Sequence, residues 1–551
     1  MKKRNLFLSL ISSILVAVAI VTVTIVSVVQ PNKKNADNGA NVDVVSDINN
    51  EKDYDYINEF ERNGSRELPY ILYSAESMDL LSAKGAEDRP VTRLVKETKV
   101  EGDEVVVVDK LDEEGHKVFE PVLDENGHQL MDVYHFELVN DIDFAGTPFV
   151  TLFNGKAFKG QIHGNGYAFK NISINVTDDN FVSQFSYTVE GKKYAHVAVF
   201  GDINGAVIED VNFENLSVNV EEGIYNNISN HDYGTFQELV VGSVAGIANN
   251  STIKNVKINA SVAGSAYSLE GNNAIGGVAA IANNVKVENS KVNVKVSANS
   301  GARYHVGGIA GYGRVAEVKN TEVVVEIESS CSRLLKMGGL YSYASSADIE
   351  NVQVTLNVKE TNPELRSSYV AGLNAKEKVD ASSLNEIGGL VHWVEANDST
   401  QKSSFTNVTV ASNVDFDCIF AGAVCDVLSS NPSTKTLVQF KDVVVASKVN
   451  ALAVHGFARQ LIASTVSYSE DKIAAEGYFN IRIDGDVKLS KYYVNDTRFV
   501  AATLVSATKI AYYSVNYSQL YFEVSSQITS KLPEVSVLSI NNNQFASYKT
   551  I

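Results

Sequence analysis

A repeat of about thirty residues constrains this chain more than any other feature of its sequence. Four stretches read VGSVAGIANNSTIKNVKINA, IGGVAAIANNVKVENSKVNV, VGGIAGYGRVAEVKNTEVVV and MGGLYSYASSADIENVQVTL. Their lead glycines are Gly242, Gly276, Gly307 and Gly338, at intervals of 34, 31 and 31 residues. Looser copies lead at Gly388, Gly422 and Gly456, and an earlier one, HVAVFGDINGAVIEDVNF, has Val197 in the lead place. A second landmark lies 13 residues after the lead, at Asp210, Asn255, Asn289, Asn320 and Asn351. Asn407 and Asp442 hold it in copies of longer interval, and Asn171 reads as the first member of the same column.

The columns say what is buried. Two places after the lead stand Val199, Val244, Val278, Ile309, Leu340, Leu390 and Val424; around the Asn stand Val256/Ile258, Val352/Val354, Val408/Val410 and Val443/Val445. Polar residues alternate with them, a period of two that belongs to half-buried strands. No copy can bury its apolar face alone, so the copies must stack. Stacking in parallel register, about 4.8 Å per layer, makes an all-β parallel β-helix, a solenoid with about one coil per repeat. Asn at a corner tolerates the left-handed conformation and can bond to the Asn of the next coil. Gly at the lead marks a bend without room for a side chain.

Charge and cysteine narrow the function. With 47 Lys and Arg against 66 Asp and Glu, the net charge is −19, which argues against nucleic acid as a partner. Three cysteines, Cys331, Cys418 and Cys425, make no disulfide framework, and Cys418 and Cys425, near an apolar repeat, read as buried thiols. Lys2, Lys3 and Arg4 precede 24 uncharged residues, Leu6 to Val29, long enough to cross a bilayer. Residues 1–30 therefore read as a signal anchor or a cleaved signal peptide, and the rest of the chain as extracytoplasmic. Membrane contact is expected through this segment only. Residues 31–60 read as a flexible linker. Residues 61–157 read as an N-terminal cap, 158–454 as the repeats, and 455–551 as irregular β-rich coils or a cap.

The chain resembles bacterial surface proteins that carry GLUG-type repeats on a right-handed parallel β-helix. The resemblance rests on SAESMDLLSAKG (Ser74 to Gly85), HFELVNDIDFAG (His135 to Gly146), FKGQIHGNGYAFKNISI (Phe158 to Ile174), and the cores VGGIAG and IGGLVHW. It spans roughly Leu68 to Lys448, though Ala and Tyr replace the second half of the motif in several copies. It implies right-handed coiling and a surface location, and it implies no reaction. In the N-terminal part, Ser74 reads as the cap of a short helix with Met78, Leu80 and Leu81 on one side, covering the open end of the first coil. Residues 91–134, with Glu-Gly and Asn-Gly turns, read as a hairpin insertion.

Catalytic and metal constellations are missing from the sequence spacing. The nine histidines include no His-Glu-x-x-His pair, and neither a Gly-x-Ser-x-Gly elbow nor a P-loop occurs. The sequence therefore predicts no cofactor, no metal and no enzyme. Asp141 and Asp143 are the nearest carboxylate pair for polysaccharide cleavage. His163, in GQIHGNG, reads as part of a tight turn.

Insertions cluster at one phase of the repeat, at 221–240, 261–274, 297–305, 329–336 and 361–386, which maps to one edge of a solenoid. They carry Tyr225, Tyr233, Phe236, Tyr267, Arg303, Tyr304, Arg333 and Tyr369, residue types favoured in contacts with partners. The functional expectation is a non-enzymatic surface protein that binds a glycan or another surface protein through this edge. The alternatives are a polysaccharide lyase or hydrolase on the same scaffold, and a purely structural envelope spacer.

Overall fold

In a computed structural model of the chain, the described residues run from 51 to 463 with gaps at 102–103, 270, 272, 299–303, 331–334, 362–384, 397–402, 417, 430–437 and 452. Beyond 463 only short strands are described. The chain is mostly β, with two large, mainly parallel sheets of 21 and 20 strands and few helices. Each repeat gives strands first to one sheet and then to the other, and each pairs with its equivalent in the next repeat. In the first sheet Lys257–Gly264 pairs with Lys291–Ala298, which pairs with Glu322–Ser329. In the second, Ala279–Asn283 pairs with Ala310–Arg314, then with Tyr341–Ser345.

Period-two alternation sets this architecture. In Lys291–Ala298, Val292, Val294, Val296 and Ala298 are buried while Lys291 and Asn293 are exposed. The buried members join one continuous core that also takes the second-sheet residues Val241, Ile275, Val306, Met337 and Ile387. On the outer face of the first sheet, register sets opposite charges beside each other: Lys286 and Glu317 at 3.1 Å, Lys291 and Glu322 at 2.9 Å. Exposed pairs of this kind stabilise little. Their effect is on register, since a slip by one residue would bury them.

Two corners use left-handed backbone. Asn255, Asn289, Asn320, Asn351 and Asn407 have φ between 49° and 55°. The Asn320 amide donates to Asn289 at 3.0 Å, Asn351 to Asn320 at 3.1 Å and Asn407 to Asn351 at 2.8 Å. Asn171 is not in this column. It lies beside Asn215, whose amide donates to it at 2.7 Å, and Gly164 is the residue that aligns with Asp210. The second corner runs through Gly205, Asn250, Asn284, Val315 and Ser346, all at positive φ. There Asn284 donates to Asn250 at 2.9 Å and Asn250 to Asn204 at 3.1 Å.

The paired glycines bend the second sheet. A Cβ on Gly276, Gly307, Gly338 or Gly388 would overlap the carbonyl oxygen three residues on, at Ala279, Ala310, Tyr341 or Val391. A Cβ on Gly277, Gly308, Gly339 or Gly389 would overlap a carbonyl of the next repeat. The first glycine permits the bend and the second permits stacking. Register also corrects two lead positions. Ala421 aligns with Gly388, so Gly422 holds the second place and Gly456, just after His455, does likewise. Val197 aligns with Val241, one residue before the lead, because the bend is one residue shorter in that copy.

Near the start, strand Tyr70–Leu72 pairs in parallel with His135–Leu138, which pairs with Gln161–His163. The helix Met78–Lys84 buries Met78 and Leu81, with Leu80 half-buried. Ser77 stands at its N-cap position, and its hydroxyl donates to the Ser74 carbonyl at 2.6 Å. The insertion is a longer hairpin than two strands. Arg89–Pro90, Thr92–Leu94 and Lys96–Glu101 pair antiparallel with Met131–Asp132, Phe119–Pro121 and Glu104–Asp109. After 463, Phe479–Asp484 and Leu520–Val524 continue the first sheet in parallel, and Thr503–Ser506 the second. No helix among the described residues is long and apolar enough to cross a membrane; Leu6 to Val29 lies outside them.

Candidate functional site: a seam on the outer face of the bent sheet

The bend brings together side chains that point away from the main core. Before the bend these are His196, Val240, Ala274, His305, Lys336 and Glu386 in successive repeats. After it come Asp202, Ile247, Ile281, Tyr312, Tyr343 and Trp393. The two arms touch within one repeat: His196 Nδ1 lies 2.8 Å from Asp202, the His305 and Tyr312 rings are 4.4 Å apart, and His392 Nε2 is 2.7 Å from Glu386. The result is a packed seam along the stack with an apolar middle and polar ends. The middle is a small cluster of Val240, Ala274, Ala280 and Ile281, flanked by Ile247 and Tyr312.

At one end His196 is buried between Asp202 and Glu238, the latter 3.3 Å from Nε2. Burial pushes its pKa down, but hydrogen bonds and charge from both carboxylates outweigh this and raise it to about 9. The Tyr187 hydroxyl also reaches this imidazole, at 3.2 Å. Burial and the two carboxylates hold the Tyr187 phenol strongly protonated. A cation so paired is a structural group at neutral pH and a poor proton shuttle.

At the other end three half-buried aromatics, Tyr312, Tyr343 and Trp393, stand in one column on successive repeats. The first two rings lie 5.2 Å apart. Tyr312 hydrogen-bonds His305 at 3.1 Å, and burial raises its pKa to about 12. Tyr343 donates to Glu395. Below this column Glu386 receives both Lys336 and His392. Cys425 belongs to the next repeat, immediately after the Val391–Val424 pair, and so stands beside His392. The Glu386, His392 and Cys425 donor atoms lie within 4.8 Å of one another, and all three residues are buried. This grouping joins residues 33 and 39 apart, which no local spacing motif detects.

The predicted edge residues fare differently. Phe236 is buried at 2 % exposure against Phe181, and Tyr304 is fully buried in the core, so neither can meet a partner. Phe236 and Tyr304 lie in strands rather than loop tips, which turns both rings inward. Tyr233 is half-buried and its hydroxyl is tied to Asp178 and Asn227, so it pins its own loop. Tyr225 and Tyr267 are half-buried with rings 6.2 Å apart, and Tyr233 and Phe236 also pair at 6.3 Å, though with Phe236 buried. Arg303, Arg333 and Tyr369 lie outside the described residues. Asp141 is held by Lys170 at 2.6 Å and Asp143 accepts from Asn171 at 2.8 Å. These bonds lower both carboxyl pKa values, the reverse of what a general acid needs. His163 sits in a strand between Glu209 at 2.6 Å and His135 at 3.0 Å, outside any turn. Cys418 and Cys425 are both buried thiols.

No family model matches the chain, and no curated protein matches it. Among solved structures, a candidate immunoglobulin A1 protease from Bacteroides ovatus is similar at 14 % identity and a TM-score of 0.30, over 78 % of this chain and 86 % of that one. A structure described as IgA1 protease is similar at 12 % identity and a TM-score of 0.32, over 69 % of this chain and 25 % of that one. Likeness at this level carries no argument about activity.

Proposed function

We propose that the chain is a right-handed parallel β-helix of the GLUG-repeat surface kind, held at or released from the membrane by Leu6 to Val29, and that it binds an extracellular glycan. The parallel register of the repeats supports the architecture, and the apolar N-terminal stretch supports the location. The observation that carries the binding reading is the column of half-buried rings Tyr312, Tyr343 and Trp393 on successive repeats. An extended polymer lying along this column meets one ring per repeat, with the half-buried Glu395 as a hydrogen-bonding neighbour. The half-buried Tyr225–Tyr267 pair is a second contact surface for a glycan or surface protein at the predicted edge. We hold the protein non-enzymatic, because Asp141 and Asp143 are engaged in structural bonds. The spacer reading is favoured by one finding: Tyr233, Phe236 and Tyr304 all serve the fold. Glycan-array and intact-cell binding by the full-length protein separates these readings. Binding lost in Tyr343→Ala and Trp393→Ala, with circular dichroism unchanged, supports the aromatic column as the site. Loss only in Tyr225→Ala or Tyr267→Ala moves the site to the edge, and no binding by the folded wild type favours the spacer.

A further inference from the structure

The tip of the hairpin insertion has an open strand edge and an exposed apolar face. Its strands Lys96–Glu101 and Glu104–Asp109 pair only with each other. None of their described side chains is buried, and Val100, Val105 and Val107 are 73 %, 68 % and 67 % exposed. Register sets Val100 opposite Val105 and Thr98 opposite Val107, so these residues share one face. A two-stranded ribbon is marginal in water and gains stability from further strands. Its free edge has a defined pattern. The Lys110 amide donates to the Val95 carbonyl at 2.9 Å, so the Val95 carbonyl faces the strand already paired. Antiparallel alternation then turns the backbone of Lys96, Thr98 and Val100 the other way, to an edge with no strand partner among the described residues.

We propose that a second copy of this chain adds to that edge, with Lys96–Glu101 pairing antiparallel with itself about a two-fold axis at Thr98. Outward backbone pairs only with outward backbone, so the available registers differ by steps of two residues. In the one centred on Thr98, Glu97 of each copy stands opposite Lys99 of the other, and Lys96 of each opposite Val100 of the other. Sliding one strand by two residues centres the pair on Glu97 or on Lys99 and sets like charges against each other, which destabilises. The charges of this strand therefore select the central register. There the Lys96 stem covers part of the exposed Val100 of the other copy. The second free edge, on Glu104–Asp109, carries only acidic charge, so pairing it with itself gains no opposite charge. The product is a closed, four-stranded, two-fold sheet. It depends on neither the glycan reading nor the membrane segment.

Sedimentation of the full-length protein in mild detergent, over a concentration series, tests this. The expected result is a reversible equilibrium between monomer and dimer. Glu97→Lys alone and Lys99→Glu alone each weaken the dimer about tenfold, because two attractive contacts become repulsive. An equimolar mixture of the two single variants dimerises again, since each then offers the charge that the other lacks. Glu97 and Lys99 also pair within one chain at 3.0 Å, and the mixture separates the contact between copies from that one. Thr98→Pro removes the amide at the axis and abolishes the dimer, while the hairpin survives because that amide faces the free edge. Amide exchange in Glu104–Asp109 checks the hairpin; if it is disturbed, the mixture decides. A folded wild type that stays monomeric over the whole series overturns the proposal. So do assemblies that grow beyond two copies, a mixture no better than its parts, or a dimer that survives in Thr98→Pro.

Discussion

Val315 is the residue most at odds with its backbone. It occupies the second corner at φ 51°, where the repeats before it place Gly205, Asn250 and Asn284. A left-handed conformation costs an ordinary L-residue about 1–2 kcal/mol, and a β-branched side chain is the worst fitted to it. Asn escapes much of that cost. The backbone hydrogen bond from Val315 N to Ser345 O at 2.8 Å fixes the corner in place, so the strain cannot relax by rotation. The amide ladder also stops here, since Asn284 donates to Asn250 but has no amide above it in the column.

Val315→Asn therefore removes strain and lets a new amide donate to Asn284. The strain relief is about 1–2 kcal/mol and the hydrogen bond about 1 kcal/mol. Val315 is half-buried, and losing its apolar contact costs about 1 kcal/mol. The expected net gain is about 1–2 kcal/mol. The reverse substitution, Asn284→Val, adds the strain and deletes the bond to Asn250, for an expected loss of about 2 kcal/mol. Urea midpoints read both changes, and amide exchange in Ala310–Arg314 and Glu317–Lys319 shows whether they are local. If Val315→Asn is neutral or destabilising while Asn284→Val costs under about 0.5 kcal/mol, corner strain does not govern these repeats.

Gly308→Ala is expected to destabilise by about 3 kcal/mol or to prevent folding, because its Cβ overlaps the Gly339 carbonyl and crowds Val323; soluble yield and urea midpoint check it. Tyr304→Ala is expected to cost about 3–5 kcal/mol as a core truncation, with binding per folded molecule unchanged. His196 has a folded pKa of about 9, above its unfolded value near 6.5, so its stabilisation is complete below about pH 6.5 and is lost as pH rises through about 9. The full span is at most about 3 kcal/mol, and the midpoint difference between wild type and His196→Gln should shrink from pH 6 to pH 10.

The strands were legible because burial on one face writes itself as alternation, as in KVNVKVSA, and the bends because a Cβ would overlap backbone where Gly276 and Gly277 sit, even though Ser243 and Ala421 hold these places in other repeats. The Asn255 column was legible for the same reason, since a left-handed corner admits few residues. The second corner was hidden: the pair Asn249–Asn250 looks like any polar loop, and at Val315 the usual residue is missing. Tyr304 and Phe236 misled because an insertion ends where its strand begins, and a Tyr or Phe gives no sign of which side of that boundary it occupies. The seam between the two arms could not be read at all. Its walls are residues of opposite arms, His305 with Tyr312 or Glu386 with His392, and their nearness depends on how sharply the sheet turns between them.

That turn explains why chemistry gathers on one sheet and not the other. The outer face of the first sheet is open, so its lysines and glutamates meet water and one another, and their exposed pairs can change with little cost. On the second sheet the same outward positions are folded together by the glycine bend and lose their water. A titratable group there must find a partner from the opposite arm or the next repeat, as His196 finds Asp202 and Glu238, and Lys336 finds Glu386. Buried partners of this kind demand good geometry, because an uncompensated charge is expensive. Where all partners are satisfied, as at His196, the cluster is explained by structure alone. The one at His392 leaves Nδ1 without a partner, as Trp393 Nε1 beside it is left, and so is less fully compensated than the cluster at His196.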